Sequence, residues 1–242
     1  MLGISMLSVI AVFPFLITTQ GDMLRELPIP LPVIFLASTV QSMVLISVAL
    51  FVGLLLGKTV GCGAPYISAW ITKSSVKKPF WPVVKQSVLW GLVVGVAILI
   101  GDRMFSLFLE PVATVFVPAW QGVLASFYGG IVEEVLLRFF LVTLFIWMLY
   151  RIGRNKQTPS AVIVWGSIVL AAVLFGLLHL PATALIYTIT PLVVARAIIL
   201  NGIGGIVFGW LYWKKGFESA VIAHFTADIV LHVFFPLIVR MF

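Results

Sequence analysis

Apolar runs long enough to cross a bilayer recur along the chain, separated by short polar punctuation. A spanning helix needs about 20 mostly apolar residues. Runs of that kind fall near 2–19, 32–57, 84–101, 120–150, 161–181 and 217–239. A further apolar stretch, TALIYTITPLVVARAIILNGIGGIVFGWLYW, fills 183–213. It reads as one long span or as two short ones broken near Asn201-Gly202. The punctuation is Pro-rich at 21–32, lysine-rich at 58–85, mixed at 101–111, and basic at 151–160 and 214–219. No repeat or low-complexity segment interrupts the pattern. It predicts an all-α fold, a polytopic transmembrane helical bundle of about seven to eight helices, in a single domain covering 1–242. The first run has no basic flank before it and no small-residue cleavage site after it, so it is expected to be a retained helix.

Composition sharpens this. The 242 residues are 62% hydrophobic and 10% charged, and the mean hydropathy is +1.21. A soluble domain is about half apolar and about a quarter charged, so an ordinary soluble fold is excluded. One cysteine, Cys62, rules out an intrachain disulfide and a Cys-based zinc site. The net charge of +7 fits basic loops facing cytoplasm and anionic lipid. No interleaving of basic and aromatic residues points to nucleic acid. The 58–85 segment combines five lysines with Tyr66, Trp70, Phe80 and Trp81, which suits the lipid interface.

The chemistry is found by asking which ionisable residues the loops explain. Five of the eight acids lie in or beside loops; Glu133, Glu134 and Asp228 do not. His179, His224 and His232 all lie inside apolar runs, as do Arg138 and Arg196. A charge at the bilayer centre costs roughly 2.5–3.5 kcal/mol on insertion scales, so such residues pair, face a bundle interior, or work. Glu134 and Arg138 are four apart on one helix face with the acid first, the favourable order for a pair. Glu133 points about 100° away, free of that pair. His224 and Asp228 share a face at the same interval, as do Phe175 and His179. His232 reads as structural, Arg196 as a pairing or snorkelling residue, and Phe175 as packing.

Depth adds a test. At about 1.5 Å per residue, Glu133 lies roughly 25 Å from the 151 end of its helix, and His179 roughly 27 Å from the 161 end of the next. The loop 151–160 joins those ends, so Glu133, Glu134 and His179 are expected level with one another, near the opposite face. His224, about 10 Å into the last helix, then joins them only if the chain crosses an even number of times between 182 and 216. That requires two short passes with a break near NGIGG.

Three motifs now stand in order on apolar segments: EEVLLR as E-E-x-x-x-R, FGLLH as F-x-x-x-H, and HFTAD as H-x-x-x-[N/D]. Together they resemble the CPBP family, the type II CAAX prenyl endopeptidases and the bacteriocin-processing or bacteriocin-immunity proteins. The resemblance covers roughly 120–232, the part that would carry the catalytic core. It implies an intramembrane endopeptidase in which Glu133 activates water with help from His179, His224 and Asp228 stabilise the oxyanion, and Glu134, Arg138 and Phe175 support them. Two mechanisms stay open. A metalloprotease would hold zinc on Glu133 or Glu134, His179 and His224; a metal-free site would use a Glu–His general base. Asp228 stands where the prenyl endopeptidases usually carry Asn. An ionised Asp cannot donate to an oxyanion, so Asp228 would orient His224, bind metal or be protonated, which tilts the balance toward metal.

The expected partners are a membrane-associated peptide or lipidated protein and the lipid bilayer, with no nucleic acid. The expected location is a multi-pass position in a prokaryotic plasma membrane. A proton-coupled transporter and a non-catalytic scaffold or immunity protein are the competing classes. By Lys/Arg count the side holding 58–85 and 151–158 is cytoplasmic, which would set the site nearer the outer face, whereas the CAAX endopeptidases are expected to work toward the cytoplasm.

Overall fold

The computed structural model describes residues 1–76, 79–112, 115–153 and 158–241. These fold into helices alone, with no strand among them. In chain order they are α1 (Leu2–Ala11), α2 (Phe13–Glu26), α3 (Leu31–Val60), α4 (Pro65–Thr72), α5 (Phe80–Ser106), α6 (Ala119–Ile152), α7 (Ala161–Thr183), α8 (Pro191–Lys215) and α9 (Phe217–Val239). Six of them are long and apolar enough to cross a membrane; α1 and α2, bent by 43° at Val12, make a seventh if taken as one span. The single span read at 2–19 is therefore a kinked pair. Pro14 sits in the first turn of α2, where it lacks an N–H that α1 would need to continue.

Local chemistry sets the ends. Thr190 Oγ1 accepts from Val193 N–H at the start of α8, and Ser160 Oγ accepts from Ile163 N–H at the start of α7. Between α8 and α9 the chain reverses at Gly216, whose φ of 101° only glycine adopts without strain. The outer faces of α3 and α5 expose Leu36, Val40, Phe51, Leu54, Leu89, Val93 and Ile100. Such faces suit hydrocarbon as solvent.

Small residues let the helices approach closely. On α8, a Cβ at Gly205 would stand 2.6 Å from Ala172, and one at Gly209 would stand 2.7 Å from Ile168. On α5, Ser87 and Ser219 of α9 share a buried hydrogen bond of 2.7 Å. Asp102 of α5 accepts from Arg196 Nε of α8 at 2.9 Å, and Tyr187 lies over the guanidinium. Cys62 follows α3, where burial pushes its thiol up to about 12. Of the basic loop at 151–160, residues 154–157 lie outside the described residues, as do Lys77 and Lys78 of the 58–85 segment.

The region 183–213 takes the first of the two forms the sequence allows, and overturns the requirement of an even number of crossings. It holds one 25-residue helix, α8, not two short passes. Asn201-Gly202 does not break it, because Asn201 Nδ2 donates to Ala197 O within the same helix. A glycine in a lipid-embedded helix has no water to trade its backbone hydrogen bonds for. The chain thus crosses once there, and His224 nevertheless reaches Glu133. The expectation failed because α9 starts beside Phe139, partway along α6, and not level with the 151 end of that helix. Phe217 is buried and packs edge-on against Phe139, with ring centroids 5.2 Å apart. Its N–H donates to Gly63 O, and Glu218 Oε1 accepts from Ile67 N–H, so α4 covers a sunken turn. From the Phe139–Phe217 contact the antiparallel helices run six residues back to Glu133 and seven forward to His224.

Candidate active site

α6 departs from regular α-helix where the charges sit. Tyr128–Glu133 and Val135–Val142 are π-helical, a conformation frequent at functional sites. Glu133 falls near the middle of this 34-residue helix. Its side chain is partly open to a cavity of about 630 Å³, which His179, His224, Asp228 and Phe175 also line.

Glu134 faces the other way and has no exposed surface. Its Oε1 accepts from Arg138 Nη1 at 2.7 Å and from His224 Nδ1 at 2.7 Å. A carboxylate with two such donors only accepts, so His224 carries its proton on Nδ1. That leaves Nε2 facing the cavity, 3.8 Å from Glu133 Oε2 and 3.6 Å from Asp228 Oδ1. The bond that orients His224 thus comes from Glu134, where the sequence pointed to Asp228. His179 follows the same logic: Nδ1 lies 2.8 Å from Phe175 O. A carbonyl can only accept, so Nε2 is left to the cavity.

Aromatic rings complete the support. Arg138 is 2% exposed and lies between Phe175 and Phe208, 5.2 Å and 5.4 Å from their centroids. Phe208 also stacks on His224 at 4.7 Å and 24°. Phe175 meets His179 edge-on at 4.6 Å. Sequence reasoning missed Phe208, an apolar residue in an apolar run; its one signal is the flanking Gly205 and Gly209. It also set His232 aside, and that residue lines the cavity too.

Gly129 explains the start of GGIVEE. A Cβ there would collide with Asp228 Oδ2 and stand 3.4 Å from His224 Nε2. Gly129→Ala is therefore expected to displace the Asp228 carboxylate and reduce turnover by at least about 10-fold through misplacement alone. The protein should remain folded by its unfolding profile in detergent. Unchanged turnover would mean that the position of Asp228 is irrelevant.

Among the described residues, no three His, Cys, Asp or Glu side chains are grouped so as to hold a metal ion. Glu133 or Glu134 with His179 and His224, the set the sequence allows for zinc, is therefore not drawn together as such a group. What the arrangement offers is a carboxylate facing the cavity, two imidazole Nε2 atoms, and a buried carboxylate that fixes one of those imidazoles.

Residues 115–230 match the family model described as type II CAAX prenyl endopeptidase Rce1-like. Over that segment the chain is similar to the Rce1-like family. No curated protein and no solved structure matches the chain. The matched segment holds α6, α7, α8 and α9 as far as Val230, and with them Glu133, Glu134, Arg138, His179, His224 and Asp228. The Rce1-like family is one of proteases, and the match, with six helices long and apolar enough to cross a membrane, supports a CAAX-type intramembrane protease at the level of the family.

Proposed function

We propose that this Rce1-like chain is an endopeptidase that cuts a membrane-associated peptide or lipidated protein with water activated by Glu133. The observation that carries the reading is the division of labour between adjacent carboxylates. Glu133 faces the cavity 3.8 Å from His224 Nε2, while Glu134 holds the Nδ1 side of that imidazole from behind. Two acids in such different surroundings suit different tasks.

Glu133 takes a proton from a water positioned with His179 Nε2. The water oxygen bonds the scissile carbonyl carbon, and negative charge moves to the carbonyl oxygen. His224, as the imidazolium with its second proton on Nε2, donates to that oxyanion. Glu133 returns its proton to the leaving nitrogen as the C–N bond breaks, giving an acid and an amine. Asp228 holds its place beside His224 Nε2. The largely apolar lining, with Val9, Val12, Phe13 and Leu16 from the kinked pair, suits a hydrophobic or lipid-bearing substrate.

The test is cleavage of a farnesylated peptide and its unlipidated parent by the purified chain in proteoliposomes. The lipidated peptide is expected to be cut, with the rate changing less than about twofold in excess chelator, since the Glu–His base supplies the required proton transfer. Activity lost on chelation and restored by zinc would replace this mechanism with a metal-dependent one. No cleavage of any membrane-delivered peptide would overturn the assignment.

A further inference from the structure

His232 stands apart from the other cavity histidines. It lies in the π-helical segment Val230–Phe234 of α9, eight residues beyond His224. Like His179 and His224 it lines the cavity. Those two have Nδ1 committed, to Phe175 O and to Glu134 Oε1. The imidazole of His232 takes no hydrogen bond from the described residues. Its protein contact is the edge of Phe15, with centroids 5.5 Å apart. Its backbone is fixed, because its carbonyl lies where a Cβ at Gly122 of α6 would stand.

A half-buried donor–acceptor ring without a protein partner costs free energy unless something else completes it. Where the ring meets the cavity, that partner is water or a bound substrate that displaces it. Eight residues of helix place His232 about 12 Å along α9 from His224. An extended peptide advances about 3.3 Å per residue, so His232 meets a substrate three to four residues from the bond held at His224. We propose that His232 is a substrate-positioning residue that hydrogen-bonds a main-chain peptide group three to four residues from the scissile bond. The inference rests on the endopeptidase reading and adds a recognition subsite to it.

The experiment measures kcat and KM separately in proteoliposomes for the wild-type chain, His232→Phe and His232→Gln. Substrates are the parent peptide and analogues with an ester replacing the amide at the third or fourth peptide group on either side of the cut. His232→Phe is expected to raise KM about 5–10-fold, the size of one buried hydrogen bond, with kcat unchanged. His232→Gln, which keeps a donor and an acceptor, should stay within about twofold of wild type. One ester analogue should reproduce the KM loss on wild type and cause no further loss on His232→Phe. Equal KM for parent and all ester analogues on wild type overturns the proposal, even if His232→Phe fails to fold. An ester effect as large in His232→Phe as in wild type also overturns it, as does a kcat loss with KM unchanged. A wild-type chain that cuts no peptide at all overturns the endopeptidase reading and this inference together; cleavage indifferent to His232 overturns this inference alone.

Discussion

Glu133→Gln leaves a membrane-delivered peptide essentially uncut: its rate is expected to fall about 10²–10⁴-fold, the usual contribution of a general base. The amide keeps the shape of the side chain and can still hydrogen-bond, but it cannot take a proton from water. The residue faces the cavity and its ion pair with His224 Nε2 is long, at 3.8 Å, so stability should change by no more than about 1 kcal/mol. The readouts are product formation under single-turnover conditions and unfolding in detergent. A variant that cuts at the parent rate would remove Glu133 from the chemistry.

Glu134→Gln should do the reverse first and the same second. It strands a guanidinium that is 2% exposed, with Gly204 O at 3.4 Å and two phenyl faces as its remaining partners. Breaking a buried pair from one side costs about 3–5 kcal/mol because the surviving charge is uncompensated. The pair Glu134→Gln with Arg138→Met removes both charges, and most of that stability should return. Activity should not return with it: His224 Nδ1 has lost its ionised acceptor, and the imidazole loses a fixed proton position. A loss of about 10–100-fold, the scale on which removing an orienting partner acts in comparable sites, is expected to persist. Full activity in the stable double variant would show that Glu134 and Arg138 serve packing alone.

Much of this was legible in the sequence because the membrane makes polar residues conspicuous. Glu133, Glu134, His179, His224 and Asp228 stand out in apolar runs, and four-residue spacing already pairs Glu134 with Arg138. The spans were legible for the same reason. What sequence could not give was the depth at which α9 starts. Counting residues from an apparent helix start assumes that each start lies at the membrane surface. Phe217 instead lies beside Phe139, inside the bundle. NGIGG reads as a breaker by soluble-protein habits, which fail where backbone groups have no competing water. The bond from Glu134 to His224 spans 90 residues and leaves no local trace. Phe208 is as apolar as its neighbours, so its stacking on His224 leaves none either.

The sunken turn at Gly216 also bears on how the protein is made. α9 seats only with α4 above it, through Gly63, Pro65 and Ile67, the last bonded across 151 positions of sequence. Glu133 leaves the ribosome 46 residues before His179 and 91 residues before His224, so the groups that line the cavity are made one after another. The cavity that gathers Glu133, His179 and His224 is therefore complete only once the last helix, α9, is in place.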